Sequence, residues 1–441
     1  MRIDRALRRL LCIGVGFGLG VVAAATDAVE PKTKTSGARA VFVKARDAVL
    51  QVQVNVRGSD SDSASSTGTG FLVSNRGVLI SNYHVVADYV LDPARYRLQY
   101  KTRDNRQGAL ELVAIDLAND LAVLKSDLTT AASLELDATP PARGERGFSI
   151  GYPLNQGITV VEGTFNGVSE DFYRENFHFT GALNPGMSGG PVLSADGKVF
   201  GVNVAHQRGA QLVSFLVPAR FAVDAMQAFR KDVVIPSGDW MNTAWRQVAQ
   251  HSEMLVRSLQ EHVWESQPLG SFSVPAKQAA AMHCSQSVDL TREEKTEHQH
   301  LSCKLNAGVY VGNDIHTGYV EFSHTLVRNR KLNPLHFNRL LRNGFTRGST
   351  ASRPEKHYLP MRCLDRIVAL RGVRAKALMC AAAYRKHPEL SDVMLRLLTL
   401  QGGAEELNSR LDMQGVVAAD ALAYIDRFME SIQWQAKPIS K

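Results

Sequence analysis

The chain has 441 residues, 44% of them hydrophobic and 21% charged, with a formal net charge of +8. That length leaves room for two or three domains. The composition is that of a globular protein and excludes a disordered polymer or a multi-span membrane protein.

Arg2, Arg5, Arg8 and Arg9, the apolar run from Leu10 to Val22 and Ala23-Ala24-Ala25 have the layout of a secretory signal peptide over residues 1–25. An uncleaved anchor is the alternative, but the run is short against the ~20 residues that span a bilayer. Cys12 has too little apolar sequence before it to be a lipid-attachment site. Loss of four arginines and one aspartate with this segment takes the net charge from +8 to +5. Residues 26–37 form a polar stretch, and a helix is predicted over Ala38–Asp47.

Leu50, Val52, Val54 and Val56 alternate with polar residues, the pattern of a half-buried strand. Gly58–Thr69 is rich in Ser, Asp and Gly and reads as a mobile loop. Gly70–Val73 and Val78–Ile80 are strands around the turn Asn75-Arg76-Gly77. Short apolar runs follow at Leu112–Ile115, Leu121–Leu124, Gly147–Ile150, Ile158–Val161, Val192–Leu193, Val199–Val204 and Leu212–Val217. Many short strands with turn punctuation predict a barrel or sandwich. No internal repeat is visible. The texture changes near Pro236: from Met241 to Val263 the apolar spacing is that of an amphipathic helix. Beyond it come expected strands at Ser271–Val274, Val309–Val311 and Tyr319–Phe322. Helices are expected at His336–Arg342, Ser391–Leu400 and Val416–Trp434, the last with Leu422, Ile425, Phe428, Met429 and Ile432 on one side.

Three segments carry chemistry: Ser81-Asn82-Tyr83-His84-Val85-Val86, Asn119-Asp120-Leu121-Ala122-Val123-Leu124-Lys125, and Asn184-Pro185-Gly186-Met187-Ser188-Gly189-Gly190-Pro191. A serine hydroxyl is a poor nucleophile until a base takes its proton. His84 is the candidate base, Asp120 the carboxylate that fixes its tautomer, and Ser188 the nucleophile. The backbone N–H groups of Gly186 and Ser188 are the candidate oxyanion donors. Asp116 competes with Asp120, but Leu-Ala-Val-Leu-Lys follows only the latter. Gly186-Met187-Ser188-Gly189-Gly190 also fits the G-x-S-x-G pattern of α/β-hydrolases. That fold would recruit a histidine after the serine, such as His206 or His251, and the chain lacks its alternating strands and helices.

In the order His, Asp, Ser, these segments resemble trypsin-like (chymotrypsin-fold) serine proteases of the HtrA/Deg branch. Thr67–Val73, Gly151-Tyr152-Pro153 and Ser214–Pro218 match in position and type. The resemblance covers roughly residues 38–230. It implies an all-β double β-barrel protease domain over residues 38–232, with the triad in the cleft between barrels. Met187 stands where that branch usually has Asn or Asp, and is expected to alter the polarity of the cleft. The segment Gly58–Thr69 is like the branch's regulatory loop only in location and composition, and no PDZ domain is recognisable. In this fold the pocket for the residue before the scissile bond is lined by segments that here include Ala182, Leu183, Val202, Asn203 and Val204. No carboxylate is present there, so small or medium apolar P1 residues are the expected preference.

Residues 233–264 are read as a linker and amphipathic helix, and residues 265–441 as a smaller α+β C-terminal domain. Cys284, Cys303, Cys363 and Cys380 are an even set in an exported chain and predict two disulfides. Sequence neighbours would pair Cys284 with Cys303 and Cys363 with Cys380, although four cysteines allow three pairings. His283, His298 and His300 with the first two cysteines compose a possible zinc set. The disulfide reading is preferred, so no metal site is assigned, and Thr291–Glu297 is taken as a charged loop tip. Residues 328–376 hold thirteen Lys or Arg against Glu355 and Asp365. They form either a solvated face or a surface for an anionic envelope partner. A bridge between Cys363 and Cys380 would close a basic hairpin.

The chain is thus expected to be an exported, periplasmic serine endopeptidase. It acts on protein or peptide substrates in envelope processing or quality control, without a cofactor and without nucleic acid. The alternatives are a latent protease-fold binding or chaperone-like protein, and an esterase.

Overall fold

The computed structural model describes residues 37–58, 64–130, 132–170, 172–206, 213–230, 239–289, 295–346, 354–402 and 404–435. The signal-peptide segment, the polar stretch as far as residue 36, Leu212, residues 231–238 and residues 290–294 lie outside them.

The first barrel comprises β1 (Val49–Val56), β2 (Ala64–Leu72), β3 (Val78–Ser81), β4 (Tyr96–Lys101), β5 (Gln107–Asp116) and β6 (Leu121–Ser126). It closes in the order β1-β2-β3-β6-β5-β4. The second comprises β7 (Arg146–Gly151), β8 (Thr159–Ser169), β9 (Asn176–Phe179), β10 (Pro191–Leu193), β11 (Val199–His206) and β12 (Ser214–Pro218). Read from β7, its order is β7-β8-β9-β12-β11-β10, the same path as the first. Closure removes the unpaired edges an open sheet would expose. Val52, Val54, Phe71, Leu79, Ile80 and Leu124 fill the first barrel, and Phe165, Phe177, Phe179, Val192 and Phe200 the second.

The mobile-loop reading fails from Ala64 onward. Gln51, Gln53 and Val54 pair with Thr69, Thr67 and Ser66, so the Ser/Thr/Gly run is the start of β2. Backbone pairing with the alternating strand β1 overrides the weak strand propensity of those residues. Residues 59–63 lie outside the description. The helix predicted at the start is α1 (Gly37–Ala45) with one 3-10 turn after it. Sequence reading missed α2 (Tyr83–Leu91), which lies between β3 and β4 and carries His84.

After α3 (Ala219–Arg230), α4 (Trp240–Glu261) runs where the amphipathic helix was predicted. It buries Trp240, Ala244, Trp245 and Val248 in the cluster shared with the first barrel, and Leu255, Val256 and Leu259 in the next core. The rest of the chain is mostly sheet. Three short strands, β13 (Ser266–Leu269), β14 (Phe272–Pro275) and β22 (Gln433–Trp434), form one small sheet. A seven-stranded antiparallel sheet contains β15 (Met282–Asp289), β16 (Thr296–Gly312), β17 (Ile315–Asn329), β18 (Arg362–Leu370), β19 (Val373–Ala383), β20 (Leu390–Thr399) and β21 (Glu405–Val417). Its order is β15-β16-β17-β21-β20-β19-β18. Two helices, α5 (Pro334–Thr346) and α6 (Ala418–Glu430), accompany it. Segment 391–400, expected as a helix, is β20. Every residue from Leu390 to Thr399 is buried, the polar Ser391, Asp392, Arg396 and Thr399 included, with α5 and α6 against the strand, so polar residues do not mark one exposed face. A strand covered on both faces loses the two-residue alternation that would distinguish it from a buried helix. On α6, Ala421, Tyr424, Ile425 and Phe428 face the core, while Leu422 is exposed.

The two edges of the large sheet are the exposed strands β15 and β18. Cys284 lies opposite Cys303 across β15 and β16, and Cys363 opposite Cys380 across β18 and β19. Both pairs are disulfide-bonded, which removes the thiolates a zinc set would need. His298 and His300 instead meet Thr296 and Thr325. Thr296 and Glu297, expected in a loop tip, begin β16. Glu297 is held by Arg328 and Arg330, its carboxyl pulled down to about 2 chiefly by hydrogen bonds from Arg330 and Gln299. Replacing Cys363 and Cys380 together by alanine is expected to destabilise the protein by about 2–4 kcal/mol. A urea melt reads this; an unchanged midpoint would show that the bridge does not hold the edge. Among the described residues no helix is long and apolar enough to cross a membrane.

Candidate active site

His84 occupies the first turn of α2, just after its N-cap Asn82. Asp120 ends the turn between β5 and β6 and adopts φ +53°, a left-handed conformation that aspartate tolerates better than most residues. The turn is built by Asp116, which accepts hydrogen bonds from the backbone N–H and the side-chain amide of Asn119. Asp116, the competing carboxylate of the sequence reading, is therefore a scaffold for Asp120.

Asp120 grips the start of α2 at four points. Its carbonyl accepts from Tyr83 N and Asn82 Nδ2, and its Oδ1 accepts from His84 N at 2.9 Å. Its Oδ2 lies 2.6 Å from His84 Nδ1. Burial disfavours the imidazolium, but the charge and hydrogen bond of Asp120 outweigh it, so the His84 pKa is raised above the ordinary 6.5. The arrangement leaves Nε2 as the basic nitrogen of the neutral ring.

Ser188 sits in the turn before β10. Met187 N donates to Asn184 O, Gly190 N to Met187 O and Gly189 N to Asn203 O of β11, while Asn203 N donates back to Gly190 O. Gly186 has φ +96° and approaches so closely that a Cβ would stand 2.3 Å from Tyr152 O. A Cβ on Gly189 would meet Thr69 O at 2.2 Å and Asn82 N at 2.8 Å. These glycines are required by close backbone approach as well as by positive φ. None of the turn's backbone hydrogen bonds uses the N–H of Gly186 or Ser188.

Thr69 joins the two barrels at this point. Its N–H donates to Ser188 O at 2.8 Å, its hydroxyl donates to Gly186 O at 2.7 Å, and it accepts from Tyr152 N. A Cβ on Gly68 would strike Val85, next to His84, on one side and Ser188 O on the other. His84, Asp120 and Ser188, from three distant segments, are thus brought to one place. The Ser188 hydroxyl donates to Val204 O at 3.4 Å, and among the described residues no hydrogen bond joins it to the His84 ring.

The remaining predicted site residues separate. Val204 lines a cavity beside Asp120. Val202 and Asn203 are interior, and the Asn203 side chain accepts from Ser149 and donates to Met187 O. Leu183 packs with Met187 and Phe165, while Ala182 is exposed. Met187 is fully buried in that cluster, so it does not colour the cleft as its position suggested. Linear reading missed Thr69 as the inter-barrel bridge, although it lies in the quoted glycine-rich strand. It also missed Tyr310 of β16, whose ring stands edge-on to His84 at 6.2 Å, and for that no local signal exists.

Residues 68–202 match the family model described as a trypsin-like peptidase domain. Over 182 residues the chain is 31% identical to a probable periplasmic serine endoprotease DegP-like of Halomonas elongata, covering 39% of this chain and 36% of that protein. The same name from Hahella chejuensis matches at 32% over 187 residues, 41% of this chain and 38% of that one. The chain therefore spans little more than a third of these relatives' own lengths. The crystal structure of the serine endoprotease from Yersinia pestis aligns at 24% identity over 44% of this chain and 67% of that chain, with a TM-score of 0.38.

Proposed function

We propose that this chain, whose residues 68–202 match the model of a trypsin-like peptidase domain, is an exported serine endopeptidase. The observation that carries the proposal is a carboxylate-bound histidine, His84, together with a glycine-rich turn that bears Ser188 and in which the N–H groups of Gly186 and Ser188 have no backbone acceptor among the described residues. In this reading His84 Nε2 takes the proton of Ser188 Oγ as the oxygen attacks a peptide carbonyl. Asp120 stabilises the imidazolium that forms, and the Gly186 and Ser188 amides receive the oxyanion. His84 then protonates the leaving amine, and water resolves the acyl-enzyme. Small or medium apolar P1 residues are preferred, because the segments around Ala182 and Val204 carry no carboxylate. The names of the relatives support a periplasmic setting, and the role proposed there is envelope protein processing or quality control.

A second reading, a latent binding protein on the same scaffold, is favoured by one observation: the Ser188 hydroxyl points its hydrogen bond at Val204 O. In unliganded sites catalytic hydrogen bonds often tighten only when substrate binds. A fluorophosphonate probe separates the two. Labelling of the full chain that is absent in Ser188→Ala supports the enzyme, and absence of labelling in the presence of peptide supports the binder.

The base must be neutral to act, so kcat/KM should rise with pH through the raised pKa of His84. Its acidic limb is expected above 6.5. A limb at or below that value, measured on a short peptide, would contradict the Asp120–His84 pairing.

A further inference from the structure

We propose that the seven-stranded sheet builds part of the substrate cleft: Tyr310 and the Asn306–Gly308 bulge of β16, with Leu117, Phe172 and Phe215, form a subsite for one apolar side chain of a bound peptide, and Tyr310 sets its specificity. The inference rests on the cleft being a peptide site.

These residues line a cavity of about 220 Å³ that also touches Asp120 and Val204, the residues bonded to His84 and to the Ser188 hydroxyl. It is smaller than the ~300–1,000 Å³ of small-molecule sites, which suits a single side chain. Phe172 and Phe215 meet edge-to-face at 4.6 Å on one wall. The charged groups at the rim have partners, Glu175 with Arg220, Asp120 with His84, and Arg174 Nη2 with His251, while the buried Arg174 Nη1 has none among the described residues. What the cavity offers a ligand is therefore mainly apolar surface.

The wall on the sheet side is fixed in place. The register of β16 on β17 slips between Asn306 and Val309. Opposite the bulge, Gly318 at φ +78° leaves no room for a Cβ, which would stand 2.3 Å from Ala307 O. His251 Nε2 donates to Ala307 O at 3.0 Å, while Arg174 donates to His251 Nδ1 at 2.5 Å. Burial first, and then the Arg174 charge, push the His251 pKa down to about 4, so the ring is neutral and can both accept and donate. Tyr83, the neighbour of His84, donates its hydroxyl to Val311 O at 3.0 Å. The strand just beyond Tyr310 is thereby held against the same helix that carries the imidazole.

The test uses the full chain as Ser188→Ala, so that binding is read without turnover. Fluorescein-labelled decapeptides carry Leu, Ala or Asp at each position in turn, and anisotropy gives Kd. At one position Leu should bind about tenfold or more tighter than Ala. Adding Tyr310→Ala should abolish that ratio at that position only, and Tyr310→Phe should keep it, since the wall is the ring. Should Tyr310→Ala fail to fold, Phe172→Ala from the opposite wall must reduce the same ratio. A ratio near one everywhere, a ratio that survives these substitutions, or no binding of any peptide would overturn the proposal. If the Leu preference holds but the unsubstituted chain resists fluorophosphonate, the catalytic reading falls and the subsite stands.

Discussion

Replacement of His84 by alanine is expected to lower kcat by about 10⁶-fold, the loss that follows when the base of such a unit is removed. Without the imidazole no described residue is placed to take the proton of Ser188, since among the described residues the hydroxyl's hydrogen bond goes to a carbonyl, Val204 O. The fold should survive. The backbone N–H of residue 84 can still donate to Asp120 Oδ1, and alanine is a better helix former than histidine in α2. Circular dichroism should therefore match the unsubstituted protein while peptide cleavage, followed by mass spectrometry, disappears. Activity within a hundredfold of the starting value would remove His84 from the chemistry.

Asp120→Asn is expected to cost about 10⁴ in kcat through the tautomer of a histidine that stays in place. Asn tolerates the φ of +53° at this position, and its side-chain oxygen can still accept from His84 N. That leaves its NH₂ facing His84 Nδ1, which must then accept, so the ring proton moves to Nε2. The nitrogen nearest the nucleophile becomes a donor and cannot act as base. The two outcomes, an unchanged melting temperature and a lost kcat, separate this effect from simple unfolding. Proton NMR of the imidazole would show the His84 pKa falling below its ordinary value, because the burial that lowers it remains while the charge that raises it is gone. A variant retaining a tenth of the wild-type kcat would mean that Asp120 only braces the loop.

Much of the barrel half was legible because its strands carry local signals. The alternation from Leu50 to Val56 is β1, and the Asn75-Arg76-Gly77 turn is where φ reaches +80° at Gly77. The order of His84, Asp120 and Ser188 was readable as motif, and their convergence depends on contacts no window contains, above all Thr69 against Gly186 and Ser188. Helix α2 was missed because Tyr83–Leu91 buries five of its nine residues and so lacks a polar face. In the C-terminal half α4, α5, α6 and the short strand β14 lie where elements of their kind were expected, but of β16 and β17 only the apolar pieces Val309–Val311 and Tyr319–Phe322 were found. Those strands run 17 and 15 residues, and their outer parts alternate with His, Gln, Lys and Glu. β20 was misread for the opposite reason, having no alternation at all. The two barrels trace one path with sequences that share no visible repeat. Strand order is set by pairing and closure, which many apolar sequences satisfy equally well.

Each cystine joins a strand to its immediate hairpin partner, 19 and 17 residues away along the chain, and the two hairpins lie at opposite borders of the sheet. Correct partners are therefore brought together by local folding, whereas scrambled partners would have to reach across three to five intervening strands. Oxidative maturation of this protein consequently asks for an oxidant but little proofreading: whichever hairpin closes first, the right sulfur is already the nearest one.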